Sequence, residues 1–519
     1  MTEQIINKNR IAKNTLLLYF RMLFTMAISL YTSRVTLSAL GVTDYGIYNV
    51  VGGVVLMFTI LSASMSAAIG RFITYEIGLN DKERIKNIFN TSVNVQILLI
   101  IIITILLESI GLWFLNYKMV IPEDRLISAN WVFQFSVLTF AVNLLSVPYN
   151  ASIIAHEKMS AFAYIGILES LLKLITVYMI LLNPFDRLVY YAFLIMLISI
   201  VIRFIYGYYC KKHFEECSYK FIIEQKLLKE MFSFAGWNFL GQSSYIINTQ
   251  GINILINIFF GVTVNAARGI AIQVDNALRQ FVNSFMTAVN PQITKSYAIG
   301  DIESMKNLIY LSSKFSAYIM LIFAIPIILE VHIIITLWFG KCPEYVDIFS
   351  QLTIINTFFD LIFCNSIITA ILSTGRIKKY QIIMTACSII VFPITWIFFE
   401  LGYPPQASYI IFLIDFIFQI FVRLKLAKNI IGLPPMEYIK KVFFRFYPVA
   451  FISFIIPFYI HYIMEESISR LFIVTIVSIM CTTITIYIIG LNRTEKHFIV
   501  EKIKRKKYET FSISDYYHT

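Results

Sequence analysis

Charge is what this sequence has least of. Only 14% of its 519 residues are Asp, Glu, Lys or Arg, against about a quarter in soluble globular domains. That scarcity excludes an ordinary water-soluble fold. Cysteine is sparse too: six residues scattered from Cys210 to Cys481, with no CxxC pair and no zinc spacing, imply neither a disulfide framework nor a metal site. Histidine is rarer relative to its uses, and His332 and His461 stand too far apart to pair on a metal. No GxxxxGK[ST] loop is present, so no intrinsic ATPase is expected, and no Ser or Cys sits in a hydrolase context. The reading is of a protein that is not an enzyme and needs no cofactor. The first residues run into a long apolar stretch without a signal-peptidase site, so that stretch is expected to be retained as a span.

What is abundant is apolar. Hydrophobic residues make up 58% and aromatics 16%, and the mean hydropathy is +0.73. These values predict an all-α polytopic membrane protein. A crossing needs about 20 mainly apolar residues. By that measure about fourteen spans are expected, beginning near Thr15, Gly46, Val93, Leu126, Phe162, Val189, Met231, Val264, Leu308, Ile348, Tyr380, Ser408, Val442 and Leu471. Lys and Arg gather in alternate loops, among them Lys82–Lys86, Lys211–Lys212, Arg376–Lys379 and the KIKRKKY tail, while the other loops hold little. The net charge of +12 therefore reads as positive-inside topology with both termini cytosolic, not as nucleic-acid binding.

The chain also repeats itself. Shifted by 220, GVTDYGIYNV at Gly41 lies over GVTVNAARGI at Gly261 without a gap, and the register carries Ser64 onto Ser284, Ile73-Thr74 onto Ile293-Thr294 and Asp81 onto Asp301. Two copies of an apolar multi-helix unit predict two pseudo-symmetric six-helix lobes. The expected division is residues 1–218 for the first lobe, 219–433 for a linker and second lobe, 434–492 for two added spans, and 493–519 for a basic, polar tail. Gly41–Tyr45 and Phe260–Thr263 are the shortest expected links. Tyr219–Phe232 is expected to form an amphipathic helix on the inner membrane face.

Ionisable groups inside spans are costly and tend to face a cavity or a partner. Span one carries Arg21 and Arg34, about 220° apart around a helix; for Arg21, snorkelling and a cavity role stand equal. In span eight Arg268, Asp275 and Arg279 fall on one line, with Asp275 and Arg279 an i, i+4 pair. Asn238, Gln242, Thr249 and Asn253 form a stripe on span seven. Ser136, Asn143 and Asn150 repeat every seven on span four, and Glu169 with Lys173 makes an i, i+4 pair on span five. Asp360 and Asp415 read as isolated carboxylates. The candidate substrate-cavity residues are thus Arg21, Arg34, Arg268, Arg279, Asn143, Gln242 and Asn253. The candidate coupling carboxylates are Asp275, Asp360, Asp415 and Glu169. Five candidate cations against four acids point to a cavity that favours an anionic head group.

The segment SRVTLSALGVTDYGIYNVVGG at Ser33 resembles the early signature of Wzx-type bacterial polysaccharide-export flippases, through Leu40-Gly41, Thr43-Asp44 and Tyr45-Gly46-Ile47. The doubled six-span plan is similar to the wider superfamily that holds multidrug and toxin extruders and the lipid II flippase. The resemblance implies translocation of an undecaprenyl-diphosphate-linked oligosaccharide between leaflets of the bacterial inner membrane. It further implies drive by H⁺, Na⁺ or membrane potential, and polysaccharide polymerase machinery as a partner. Relatives place arginines in spans one, two and eight near the head group; Arg21, Arg34 and Arg268 match those spans, whereas span two offers only Arg71 at its end. The alternative within the superfamily is a cation-coupled multidrug antiporter, which requires an acid-dominated cavity.

Overall fold

The computed structural model describes residues 8–497 except 57, 120, 182–185, 223 and 341–342. Lys341 and the basic run of the tail lie outside the described residues. Among those described, the secondary structure is helical throughout, as backbone in lipid must be, since no water is there to satisfy a free amide or carbonyl. Ten helices are long and apolar enough to cross a membrane.

The first half is built from α1 (Lys8–Leu56), α2 (Thr59–Leu79), α3 (Lys82–Leu106), α4 (Leu112–Tyr117), α5 (Leu126–Ala155), α6 (Met159–Leu181) and α7 (Arg187–His213). The second half contains α8 (Gln225–Ala298), α9 (Ile302–Phe339), α10 (Val346–Thr357), α11 (Asn365–Ser373), α12 (Lys378–Ile389), α13 (Val391–Glu400) and α14 (Ala407–Ile431). The chain closes with α15 (Pro435–Tyr438), α16 (Phe444–Ile463) and α17 (Ile468–Thr485). Single π-helical turns interrupt the rods at Leu107–Gly111, Phe358–Ile362, Ile439–Phe443 and Ile486–Gly490.

The two expected short links are not loops. α1 and α8 each run through a single non-helical residue, Gly41 (φ 80, ψ 168) and Gly261 (φ 81, ψ 179). At positive φ a side chain is strained, so glycine is required at both. That one residue suffices to reverse the chain: Arg268 donates from Nε to Asn253 Oδ1 at 3.1 Å, although 15 residues of straight helix would separate them by about 22 Å. Their positions are centred on Gly261, so each copy is a helical hairpin with a one-residue tip. The repeat holds at the opposite end as well. Asn80 and Gly300 both adopt left-handed conformations, and Asp81 and Asp301 both cap the next helix, accepting from Arg84 N and Ser304 N. Backbone, not only sequence, is duplicated 220 residues on.

The linker also differs from expectation. It is helical only from Gln225; residues 219–222 run non-helically along α3, where Asn90 Oδ1 accepts from Lys220 N at 2.7 Å and Asn94 Nδ2 donates to Ile222 O at 2.8 Å. Two side-chain amides that satisfy backbone groups remove the incentive to coil. The first turns of α8 then bury Leu227, Met231 and Phe234 against Met65, Ile69 and Phe72 of α2.

At the glycine end of the first half, Arg125 grips both Asp44, just past the kink, and Asp186 at 2.8 Å, so three connections are tied together. Partial burial raises the Asp186 carboxyl, but hydrogen bonds from Ser128 and Arg125 outweigh it and hold the group below the usual carboxylate range.

α16 and α17 pack on α9, and one apolar core runs from Met305 and Leu321 through Phe363 to Val449 and Val474. Glu330, wholly buried at a break in α9 (φ −111, ψ 20), accepts from Arg470 at 3.0 and 3.1 Å and bonds His461 at 2.9 Å. Nearer the other end, buried Lys314 donates to Glu495 at 2.6 and 2.7 Å. Removing one partner of a buried pair strands the other charge, at a cost of about 3–5 kcal/mol. Arg470→Met is therefore expected to lower the melting temperature of the detergent-purified protein markedly, and Glu330→Gln in the same chain to recover most of the loss. A melting curve unchanged in the single variant would show that the pair holds nothing.

Candidate functional site

Three cavities run side by side through the molecule. The first, about 270 Å³, lies inside the second lobe between the arms of the α8 hairpin, α10 and α14. Its wall includes Arg268, Asp275 and Arg279, the collinear residues of span eight, together with Thr249 and Asn253 from the facing arm. Arg279 is fully engaged: Nε donates to Asp275 at 2.5 Å, Nη1 to Asp360 at 3.0 Å and Nη2 to Thr357 at 2.7 Å, while Thr357 also donates to Asp275 at 2.6 Å. Asp360 is thus not isolated. It sits in the π-helical turn Phe358–Ile362, where the extra residue of the wider turn re-aims a side chain. With a guanidinium already between the two carboxylates, this cluster is not arranged to take a metal cation such as Na⁺. Arg268 is different. It is only 3% exposed, its bonds go to Asn253 Oδ1 and Thr249 O, the Tyr409 ring lies 5.4 Å away, and no carboxylate partners it among the described residues.

The second cavity occupies the same place in the first lobe and also measures about 270 Å³. Position for position it is the copy. Tyr48, Gly52, Val55 and Thr59 line it where Arg268, Ile272, Asp275 and Arg279 line the other, each 220 residues on. Ser136, Thr139, Ala192 and Ile195 likewise answer to Thr353, Asn356, Tyr409 and Phe412, now 217 residues on. Asn143 lines the first-lobe cavity; its counterpart by the same offset is Asp360. One scaffold therefore carries two chemistries, hydroxyl and amide groups in the first lobe and ions in the second.

Between them lies the largest of the three, about 670 Å³, sharing Tyr48 and Asn49 with the first-lobe cavity and Asn276 with the second. It is walled by α1 from Met22 to Thr36, by Tyr45, Tyr48 and Asn49 past the kink, by Ser170, Lys173 and Tyr191, and by Gln273, Asn276 and Gln280 of α8. Among the described residues, Lys173 is the one charged side chain in this wall, paired with Glu169 at 2.6 Å. At the end of the bundle where Lys and Arg collect, the halves meet, leaving a smaller cavity of about 300 Å³ around Arg71, Asn150, Asn290 and Thr369.

The structure brings Arg268, Asp275, Arg279, Asp360 and Asn253 together and sets Asn143 opposite them. It does not bring in the rest. Arg21 turns toward α6, over the Phe162 ring at 4.1 Å and against Gly166. Arg34 is exposed and stands outside these cavities, as does Gln242; beside it Gly241 packs closely on Gln381 of α12. Asp415 is held by Gln419 at 2.6 Å, and Glu169 is engaged by Lys173. The cationic surplus expected of the passage reduces to Arg268. Sequence reasoning missed the hydroxyl-rich wall of α1, although Thr25, Ser29, Thr32, Ser33 and Thr36 recur at helical spacing and mark it.

The model of the family described as polysaccharide biosynthesis protein matches residues 11–297. No curated protein matches the chain. Among solved structures, the chain is similar to the crystal structure of a MATE mutant, at 16% identity and a TM-score of 0.71 over 81% of this chain and 96% of that one. An outward-facing multidrug resistance MATE family transporter of the MOP superfamily aligns over the same shares, at 16% identity and a TM-score of 0.70. So does a MOP superfamily transporter from Pyrococcus furiosus, described by a reverse polarity of its binding pocket that suggests a different function, at 15% identity and a TM-score of 0.65. At such identity the likeness establishes the fold.

Proposed function

Because the chain belongs to the polysaccharide biosynthesis protein family, we propose that it is a flippase that carries an undecaprenyl-diphosphate-linked oligosaccharide across the bacterial inner membrane. The two lobes, within 1–218 and 219–433, rock about the central cavity, with 434–492 riding on the second. The basic end faces the cytosol, with both termini there. The observation that carries this reading is the wall of the central cavity: among the described residues, thirteen hydroxyl and amide side chains, one lysine and no carboxylate. Such a surface offers hydrogen bonds to sugar hydroxyls and none of the negative charge a lipophilic cation needs. Its size falls within the range of about 300–1,000 Å³ usual for ligand sites. The first-lobe cavity has no carboxylate in its wall either, among the described residues, which disfavours the cation-coupled multidrug antiporter. Arg268, with Asn253 beside it, is the group best placed to meet a phosphate or an acidic sugar, and Asn143 marks the uncharged side. Drive by H⁺ or Na⁺ falls to Asp415, which is bonded by the neutral Gln419 amide, since Arg279 is held between Asp275 and Asp360 and Lys173 pairs with Glu169.

Deleting the gene in its own host is expected to abolish surface polymer and to build up undecaprenyl-diphosphate-linked oligosaccharide that stays inaccessible from the periplasm in spheroplasts. Resistance to cationic dyes is expected to be unchanged. Normal polymer with heightened dye sensitivity would establish the antiporter instead.

A further inference from the structure

The central cavity lies toward the glycine end, whereas at the basic end the two halves touch. Two polar contacts span that end alongside the apolar packing of α2 on α8, and they are near mirror images. On one side, Arg71 of α2 donates from Nε and Nη2, at 3.2 and 2.9 Å, to the carbonyl of Ser373, the last residue of α11 before the turn into α12. Gly375 in that turn has φ +73. On the other side, Lys295 of α8 donates at 2.7 Å to Glu157, in the turn between α5 and α6, and Gln292 adds a bond at 3.3 Å. Between the two contacts the Tyr75 and Tyr297 rings pair at 6.3 Å.

Glu157 is the unusual member. It is one of three non-glycine residues at positive φ (57°) among those described, and only 4% of its side chain is exposed. Strain of that kind persists where surroundings impose it. Here the surroundings belong to its own half: Arg10 donates to His156 O at 2.8 Å and meets the Glu157 carboxylate at 3.2 Å, and Asn14 donates to Glu157 O at 3.3 Å. The neighbouring His156 ring bonds Glu216 at 2.5 Å. The turn is thus fixed within the first half and aims a carboxylate across the gap.

We propose that Glu157 is a positioning residue for transport, a latch that keeps the basic end shut by holding Lys295 and Gln292. When the halves part there, those two bonds break while Arg10 and Asn14 stay with the carboxylate's turn. The opposite contact, a guanidinium on a neutral carbonyl, is the weaker of the two, so Glu157 sets the balance between closed and open forms. The proposal rests on the two-lobe motion of the flippase reading but not on its cargo.

The test is electron–electron spin-label distances in lipid nanodiscs, with full-length protein labelled at Glu83 and Glu303. These exposed positions lie 220 residues apart, one on each half near the basic end. Glu157→Gln and Lys295→Met are each expected to raise the ratio of long to short distances at least about tenfold. The double variant is expected to go no further than either one, and Arg10→Gln, which cuts a bond within the first half, to leave the distribution closed. Lys295→Gln supplies an intermediate ratio should Glu157→Gln not fold. Unchanged distances in either single variant, or additive shifts in the double, would overturn the latch. Because no substrate is present, a different cargo leaves this result standing.

Discussion

Arg279→Ala is expected to unfold the second lobe at temperatures the parent survives. The guanidinium is mostly buried and makes three bonds, two of them to the carboxylates of Asp275 and Asp360. Without it, two largely buried acids face each other with Thr357 as their remaining donor. Stranding buried charge costs about 3–5 kcal/mol, a large share of the stability of most folded proteins. The measurement is a melting curve on detergent-purified protein, with membrane abundance as a second readout. A companion variant separates charge from shape: Arg279→Met with Asp275→Asn and Asp360→Asn carries no ions and is expected to recover most of the stability. A single variant that melts like its parent would mean the cluster is solvated well enough to do without its cation.

Arg268→Ala, eleven residues away on the same helix line, is expected to do the opposite: abolish surface polymer while abundance and melting stay as they were. Arg268 leaves behind only an amide and a backbone carbonyl, both bordering a cavity that water can enter. No charge is stranded. What disappears is, among the described residues, the one cation lining the second-lobe cavity without an acid beside it, and a hydrogen bond from a charged donor is worth about 1.5–3 kcal/mol, or roughly 10–150-fold in export rate. Lysine at this position is expected to give an intermediate rate, since it restores charge without the paired donors. Normal polymer from the alanine variant would remove Arg268 from the site.

These two outcomes also mark how far the sequence could be read. The line Arg268, Asp275, Arg279 is visible because helical period fixes it, and the hairpins are visible because the repeat fixes them. What separates the two arginines is not local. Asp360 lies 81 residues beyond Arg279 and reaches it only through a π-helical turn, which no periodicity reveals. Likewise Glu157 looks like an ordinary loop acid; its left-handed backbone and its bond to Lys295, 138 residues on, belong to tertiary structure. Arg34 fails in the other direction. A charge inside an apolar run signals that something must accommodate it, yet not whether that is a cavity or the open side of a helix. The sequence shows the single-residue hairpin tips only as short links, because a composition-based boundary cannot see a helix reverse on one glycine.

The two hairpins turn on nearly the same backbone at Gly41 (φ 80, ψ 168) and Gly261 (φ 81, ψ 179), yet Tyr48, Val55 and Thr59 in one stand where Arg268, Asp275 and Arg279 stand in the other. A doubled gene segment gives selection two independent panels to paint. Ions can accumulate on one without disturbing the other, and the wall of either panel can change by a handful of substitutions that leave the frame untouched.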